Sequence, residues 1–314
     1  MGAILIRRAC VAPLVLVGVS LLAFALPALT GEDPARAVLR ARLAEVPPDP
    51  ATLAAISREL GLDRPWPLRY LSWLGDLARG QLGLSYETRT PVADLLVRAT
   101  GVSLALMLTA LLYALLAGVA AGAWAAARPG GWVDRFVGAA SQAAVVVPEY
   151  VLGPLLVLVF AVWLRWLPAT GWHTTANAVL PSVTLAIPAA AFIARLVRAE
   201  AVDTSTQPFV RTAWAKGLPA RRVLWRHVIR ASLASTTAFG SVFFGGLLGG
   251  SVLVEVVFGI QGLGGLLHDA VQAQDVPVLQ AGLLVAVAVA MLLGLAGDLL
   301  QMLLDPIARE RGAR

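Results

Sequence analysis

Six apolar runs, each about as long as a bilayer's hydrocarbon core is thick, limit what this chain can become. They lie at about Ala9–Leu29, Ala99–Ala127, Phe136–Leu164, Ala178–Leu196, Ser232–Val254 and Pro277–Leu304. In lipid, every backbone N–H and C=O needs an internal partner, which only helices and closed barrels supply. The runs do not alternate polar with apolar residues, so a barrel is not expected. The expected fold is an all-α membrane protein with about six transmembrane helices. Composition agrees, because only 14% of the 314 residues are charged, against about 25% in soluble domains. The organisation expected is a first transmembrane helix in residues 1–30, an external loop in 31–98, and a core with five further helices in 99–314.

Arginine placement gives the orientation, since short cytoplasmic loops collect basic residues. With the N-terminus inside, the inside segments Met1–Arg8, Arg128–Arg135, Arg195–Arg230 and Asp305–Arg314 hold fifteen of the twenty-five basic residues. The long loop Thr30–Arg98 holds nine arginines balanced by nine acids. Both termini are therefore expected in the cytoplasm. Trp163, Trp166 and Trp172 cluster at one boundary as an aromatic belt. In the long loop, Asp49-Pro50 reads as a helix start and Gly61 as its stop. A second external helix is expected in "WPLRYLSWLGDLARG", closed by Gly80, with Leu68, Leu71, Leu74 and Leu77 on one face.

Several chemistries are excluded. Lys216 is the only lysine, and its surroundings do not form the Gly-rich loop that cradles nucleotide phosphates. Cys10 is the only cysteine, so no internal disulfide or cysteine metal cluster forms. His173, His227 and His268 all fall in expected loops, and no HExxH pattern occurs. No catalytic residue, metal site or bound cofactor is expected, and Ser141 and Ser182 lack an intramembrane histidine partner. The net charge of +6 follows from topology and needs no nucleic-acid partner.

One segment breaks the apolar pattern. "RTAWAKGLPARRVLWRHVIR", Arg211–Arg230, has six Lys and Arg residues and no acid. Thr206 can cap a helix with Pro208 in its first turn, Gly217 can end it, and Pro219 can start a second helix. Such an elbow can dock into a partner protein, or it can be a basic loop that only fixes topology.

The longer stretch "FVRTAWAKGLPARRVLWRHVIRASL" resembles the cytoplasmic coupling-helix loop, here 199–231, of binding-protein-dependent ABC importer permeases. It is most similar to the dipeptide/oligopeptide/nickel branch. "RELGLDRPWPLRYLSWLGDLARGQLGLSYETRTPVADLL", "LPATGW", "LPSVTLAIPAAAFIARLVR", "GGSVLVEVVFGIQGLG" and "GDLLQMLLDP" resemble further blocks in order. The chain departs from the family where Pro208 replaces an acid, near Ser235, where a proline is usual, and at Ile260-Gln261, where Trp-Pro is usual. The resemblance implies a non-catalytic permease subunit of the bacterial inner membrane that carries a peptide-like or related small solute. It also implies a second homologous permease, two cytoplasmic ATPases that use the ATP, and an external solute-binding protein. Arg211, Ala213, Lys216 and Gly217 would make the ATPase contact: the small residues allow close approach and the cations pair with acids. The alternative is a stand-alone secondary transporter or channel, which paired intramembrane acids would favour; here the acids are scattered.

Ionisable groups within spans carry a functional reading by default. Asp298 is expected to pair with Arg195, Arg198 or a neighbouring helix, and Glu255 has a structural or a gating role. Glu149 follows Pro148, whose missing N–H kinks the span. It either faces the translocation path and attracts a cationic group or makes an inter-helix hydrogen bond. Gly245/Gly249 and Gly246/Gly250 leave one face of the fifth span bare, for a permease–permease interface and pore lining or for packing within the subunit.

Overall fold

The computed structural model describes residues 2–29, 50–59, 61, 63–236 and 240–304. Asp49, expected to cap the first external helix, lies outside them, as does the segment 305–314. Among the described residues the structure is helical, with one isolated antiparallel bridge between Leu84 and Pro91. The helices are α1 (Gly2–Leu29), α2 (Pro50–Glu59), α3 (Trp66–Ala78), α4 (Val92–Ala126) and α5 (Trp132–Val146). After these come α6 (Glu149–Leu156), continued as a π-helix over Val157–Trp163, and α7 (Thr175–Ser205). The short α8 (Pro208–Ala215) and α9 (Ala220–Val223) lead through a π-helical turn, Leu224–Ile229, into α10 (Arg230–Thr236). The chain ends with α11 (Gly240–Phe258), α12 (Leu263–Gln272) and α13 (Val276–Leu304).

Three helices, α4, α7 and most of α13, are long and apolar enough to cross a membrane on their own. The number rises to five if α5 with α6, and α11 with α12, each form one broken span. The apolar part of α1, Val11–Pro27, falls short of that length among the described residues. Among the described residues, length and composition thus support three to five spans, with the expected first span in α1 falling below that length. The third expected span departs most: α5 and the α6–π-helix segment meet at 107°. Pro148 has no N–H to continue the ladder and drives the residue before it out of helical geometry. Val147 is extended accordingly, at φ −82° and ψ 116°. A mild kink was expected; a full break is found. Helix α12 had no counterpart in the sequence reading, and His227 and His268 lie in helical segments, not loops.

The chain divides into two compact units. The larger, Ser103–Gln261 with Met1–Ile4 and Leu292–Arg314, is built around α7. In the apolar window of α7, 56% of residues are buried, against 28% in those of α4 and α13, so α7 is the helix most enclosed by protein. Its start is fixed by a reciprocal cap: Thr174 Oγ1 accepts from the Asn177 N–H, and Asn177 Oδ1 accepts from the Thr174 N–H. Asn177 Nδ2 also donates to the Thr170 carbonyl at 2.6 Å, tying the preceding loop to the helix.

The smaller unit, Leu5–Val102 with Gly262–Met291, has two packed centres. In one, Phe24 of α1 sits among Trp66, Tyr70 and Trp73 of α3, with ring centroids 5.4 to 5.6 Å away, and Ser20 Oγ lies 2.7 Å from the Tyr70 hydroxyl. Leu68 and Leu71, from the leucine face expected on α3, are 58% and 62% exposed, and the face packed on α1 is the aromatic one. In the other centre, Val92 and Leu96 pack with Leu263, Ala270, Val278 and Ala281. The buried Asp275 carboxylate lies beside it. It accepts from the Ser85 hydroxyl at 2.5 Å and, more weakly, from the N–H groups of Glu87 and Val278.

Candidate functional site

The elbow after α7 forms as proline and glycine rules require. Gln207 is the extended N-cap residue, Pro208 opens α8 without losing a hydrogen bond, and Lys216 is the C-cap. Gly217 has φ +71°, a left-handed conformation that costs a residue with a side chain about 1 kcal/mol or more. The Gly217 N–H reaches the Trp214 carbonyl and the Leu218 N–H the Ala213 carbonyl, which closes the helix end. Pro219 then caps α9.

The elbow has an inner and an outer face. Val210 and Ala213 are buried at 1% and 3% exposure, with Val223, Val228 and Ile229 of the second arm. Arg211, Lys216 and Gly217 are exposed. Ala213, expected to contact a partner, instead faces inward and serves as a packing residue. The outer face also carries three exposed aromatics that sequence reasoning overlooked: Phe209, Trp214 and Trp225, flanked by Arg221, Arg222 and Arg226. Their signal was present, since the apolar phase Val210–Ala213 leaves Phe209 and Trp214 off the buried side. Ser232 Oγ donates to Thr204 Oγ1 at 3.3 Å, linking the exit from the elbow to the end of α7.

Above the elbow, α7 is locked to its neighbours. Arg198 grips Asp134 of α5 with two hydrogen bonds of 2.8 Å, from Nε and Nη2, and the Gly130 N–H donates to the same carboxylate. Arg195 Nη1 reaches Gln142 Oε1 at 3.4 Å. Arg198 and Arg195 are thus engaged by α5 rather than by Asp298, which has contacts of its own. Ser182, considered above as a nucleophile, shares a hydrogen bond with Thr109 of α4 at 2.7 Å. Gly118 and Gly122 of α4 lie directly against α7. A Cβ at Gly122 would stand 2.6 Å from the Ala194 carbonyl oxygen, and one at Gly118 would stand 2.8 Å from that of Ala190. This G-x-x-x-G pair was missed, although its spacing was visible in the sequence.

At the break, Glu149 is the first residue of α6 and half-buried. Its carboxylate makes no hydrogen bond or ion pair among the described residues, so the inter-helix hydrogen bond is not formed there. It lies against Gly250, where a Cβ would come 3.0 Å from Oε1. Gly250 is thus a packing position within the subunit, whereas Gly246 and Gly249 are exposed with nothing within 4 Å. Gly245 lies on the same helix, α11. Glu255 of α11 is completely buried and accepts from the Ser103 hydroxyl at 2.5 Å. Asp298 is part-buried on α13. Pro148 and Glu149 thus sit at the break, Glu255 on α11 and Asp298 on α13. No group of three or more His, Cys, Asp or Glu residues that could hold a metal occurs among the described residues.

Residues 118–310 match the family described as "Binding-protein-dependent transport system inner membrane component", and residues 1–107 match the N-terminal membrane component of such systems. A probable peptide ABC transporter permease protein, y4tP of Sinorhizobium fredii, is 33% identical over 318 residues, covering 98% of this chain and 100% of that one. The glutathione transport system permease protein GsiC of Escherichia coli K12 is 35% identical over 293 residues, covering 93% and 94%. The solved structure of the MetNI methionine ABC transporter in inward-facing conformations aligns with a TM-score of 0.58 at 21% identity. It covers 68% of this chain and 98% of that one, a likeness of fold.

Proposed function

Because this chain belongs to the family of binding-protein-dependent transport system inner membrane components, we propose how this permease subunit of an ABC importer couples and what it carries. Permease subunits of this kind are non-catalytic; partner ATPases use the ATP, and a solute-binding protein delivers cargo. A stand-alone transporter or channel gives way to that membership. One such chain pairs with a second, homologous permease, two ATPases lie on the cytoplasmic side, and both termini of this chain are cytoplasmic. This chain itself binds no cofactor.

The observation that carries the coupling reading is the two-faced elbow: apolar residues hold it to α7, while cations and aromatics point away. Arg211 and Lys216 supply charge and Phe209 and Trp214 supply contact area for an ATPase groove, with Gly217 setting the bend. Ala213 contributes by seating α8. When ATP binding draws the ATPases together, the elbow moves with them, and α7, tied to α4 and α5, carries the displacement into the spans. Differential contacts in the two states shift the inward/outward equilibrium. The names of the relatives favour a peptide-like cargo, and the unpaired Glu149 at the break suits an ammonium group passing by. Glu255 and Asp298 support the gate, and the bare Gly246–Gly249 face, with Gly245, meets the second permease while Gly250 packs at home.

The test is charge reversal on the elbow. Arg211→Glu with Lys216→Glu should leave the protein in the membrane, abolish ATP-dependent uptake of a labelled peptide, and lose the ATPase on purification in mild detergent. Full uptake by this variant would refute the coupling assignment. For the path, Glu149→Gln should lower uptake of cationic-terminus peptides more than that of N-acetylated ones; equal effects would remove Glu149 from cargo recognition.

A further inference from the structure

One feature of the larger unit is used neither by the elbow nor by the path. A cleft of about 380 Å³ opens between α5 and α7, beside the Asp134–Arg198 pair. Its walls are Ala125, Val137, Gly138 and Ala194, and its charged lining is Arg135, Arg195, Arg198 and Asp134. Asp134 is neutralised by the bidentate grip of Arg198. The cleft therefore keeps an excess of two positive charges, on Arg135 and Arg195. Arg135 is exposed and makes no ion pair among the described residues, and Arg195 makes only the long contact to Gln142. Two guanidinium groups over an apolar floor form a receptor for a phosphate-bearing anion.

The surroundings select the form of that anion. Trp132, Phe136 and Val146 project from α5 at 77%, 66% and 69% exposure, an apolar stripe on the same helix that carries Arg135. Trp132 stands at the start of the helix, as interfacial tryptophans do. A ligand with a phosphate head and apolar tails satisfies both features at once, and basic pockets between spans bind such headgroups. We propose that the α5–α7 cleft is a binding site for an anionic phospholipid, with Arg135 and Arg195 on the phosphate and the acyl chains along the exposed stripe of α5. The site depends on the membrane fold alone and not on the coupling assignment.

The experiment is native mass spectrometry of the full-length chain, purified in the complex it forms in its membrane and delipidated. It is titrated with phosphatidylglycerol, with phosphatidylcholine, and with inorganic phosphate as competitor. Wild type should bind phosphatidylglycerol roughly 30-fold more tightly than Arg135→Gln with Arg195→Gln, as expected from loss of two interfacial charges. Phosphatidylcholine should not distinguish them. Arg135→Lys with Arg195→Lys should recover most of the affinity, which separates lost charge from lost folding. Equal phosphatidylglycerol binding in wild type and the double Gln variant would overturn the proposal. So would displacement of the lipid by millimolar phosphate alone, which would assign the cleft to a soluble anion.

Discussion

Replacing Gly122 by Ala tests the packing of α4 on α7 with a single methyl group. The new Cβ would lie 2.6 Å from the Ala194 carbonyl oxygen and 2.9 Å from the Val197 Cβ. The oxygen belongs to a helix backbone and cannot rotate away, so the two helices must part by roughly half an ångström. A gap of that size forfeits about a quarter of the dispersion energy of each contact along the seam, and overpacking of this kind costs about 1–3 kcal/mol. Alanine's better helix propensity returns about 0.5–1 kcal/mol, leaving a net loss of roughly 1–2 kcal/mol. Gly138→Ala and Gly101→Ala are the controls, since nothing lies within 4 Å of either new methyl; propensity acts alone there and should stabilise. Thermal unfolding in detergent, followed by tryptophan fluorescence and by size-exclusion after heating, should show Gly122→Ala melting several degrees below wild type and the controls at or above it. Gly118→Ala should behave like Gly122→Ala, and the double variant should cost less than the two losses combined, because one separation accommodates both methyls. Were Gly122→Ala to melt with the controls, the close seam between α4 and α7 would be wrong.

Three further outcomes follow from other positions. Gly217 has φ +71° and empty space around its Cβ position, so Gly217→Asn, which tolerates that conformation, should retain most ATP-driven uptake, while Gly217→Val should lose at least about tenfold at equal membrane levels; an inactive Asn variant would instead place the constraint in the partner contact. Glu255→Gln keeps an acceptor for the Ser103 hydroxyl and should unfold near wild type, whereas Glu255→Ala should lose roughly 2–4 kcal/mol from a buried hole and orphaned hydrogen bonds, read from its melting curve. Asp275→Ala removes the acceptor for Ser85 and for the first turn of α13 and should cost about 1–3 kcal/mol; limited proteolysis should then cut first near residues 82–91, and an unchanged cleavage pattern would refute the role of Asp275 in holding that loop.

Local rules made the elbow readable. Pro208, Gly217 and Pro219 act through their own backbone, so their spacing fixes α8, its end and α9 without reference to the rest of the molecule. The break at Pro148 was legible as a defect, but its 107° angle depends on how α6 packs against α7 and α11, which no local pattern encodes. Ala213 was misread because smallness suits both a partner contact and an internal one; the phase shared with Val210 decides for the inside. In α3 two stripes competed. Leu68, Leu71, Leu74 and Leu77 fit one face, but Trp66, Tyr70 and Trp73 fit another at equally good spacing, and the aromatic stripe found Phe24. The glycines of α11 are more numerous, yet the glycines set directly against another helix's backbone carbonyls are Gly118 and Gly122. Spacing identifies a bare face, and only the neighbour across from it tells whether the face is used.

The break between α5 and α6 also has an electrical consequence. The last carbonyls of α5 and the first N–H groups of α6 have no helical partners, and at membrane depth such groups persist only against protein or water. If the proposed path runs through this break, water admitted there would thin the insulating layer from within, and a large share of the membrane voltage would drop across a few residues around Val147 and Glu149. Closure at that one point would then hold back protons and ions, and opening it would expose cargo to a concentrated field. A short hydrated defect can thus serve as a gate where a long pore would need many.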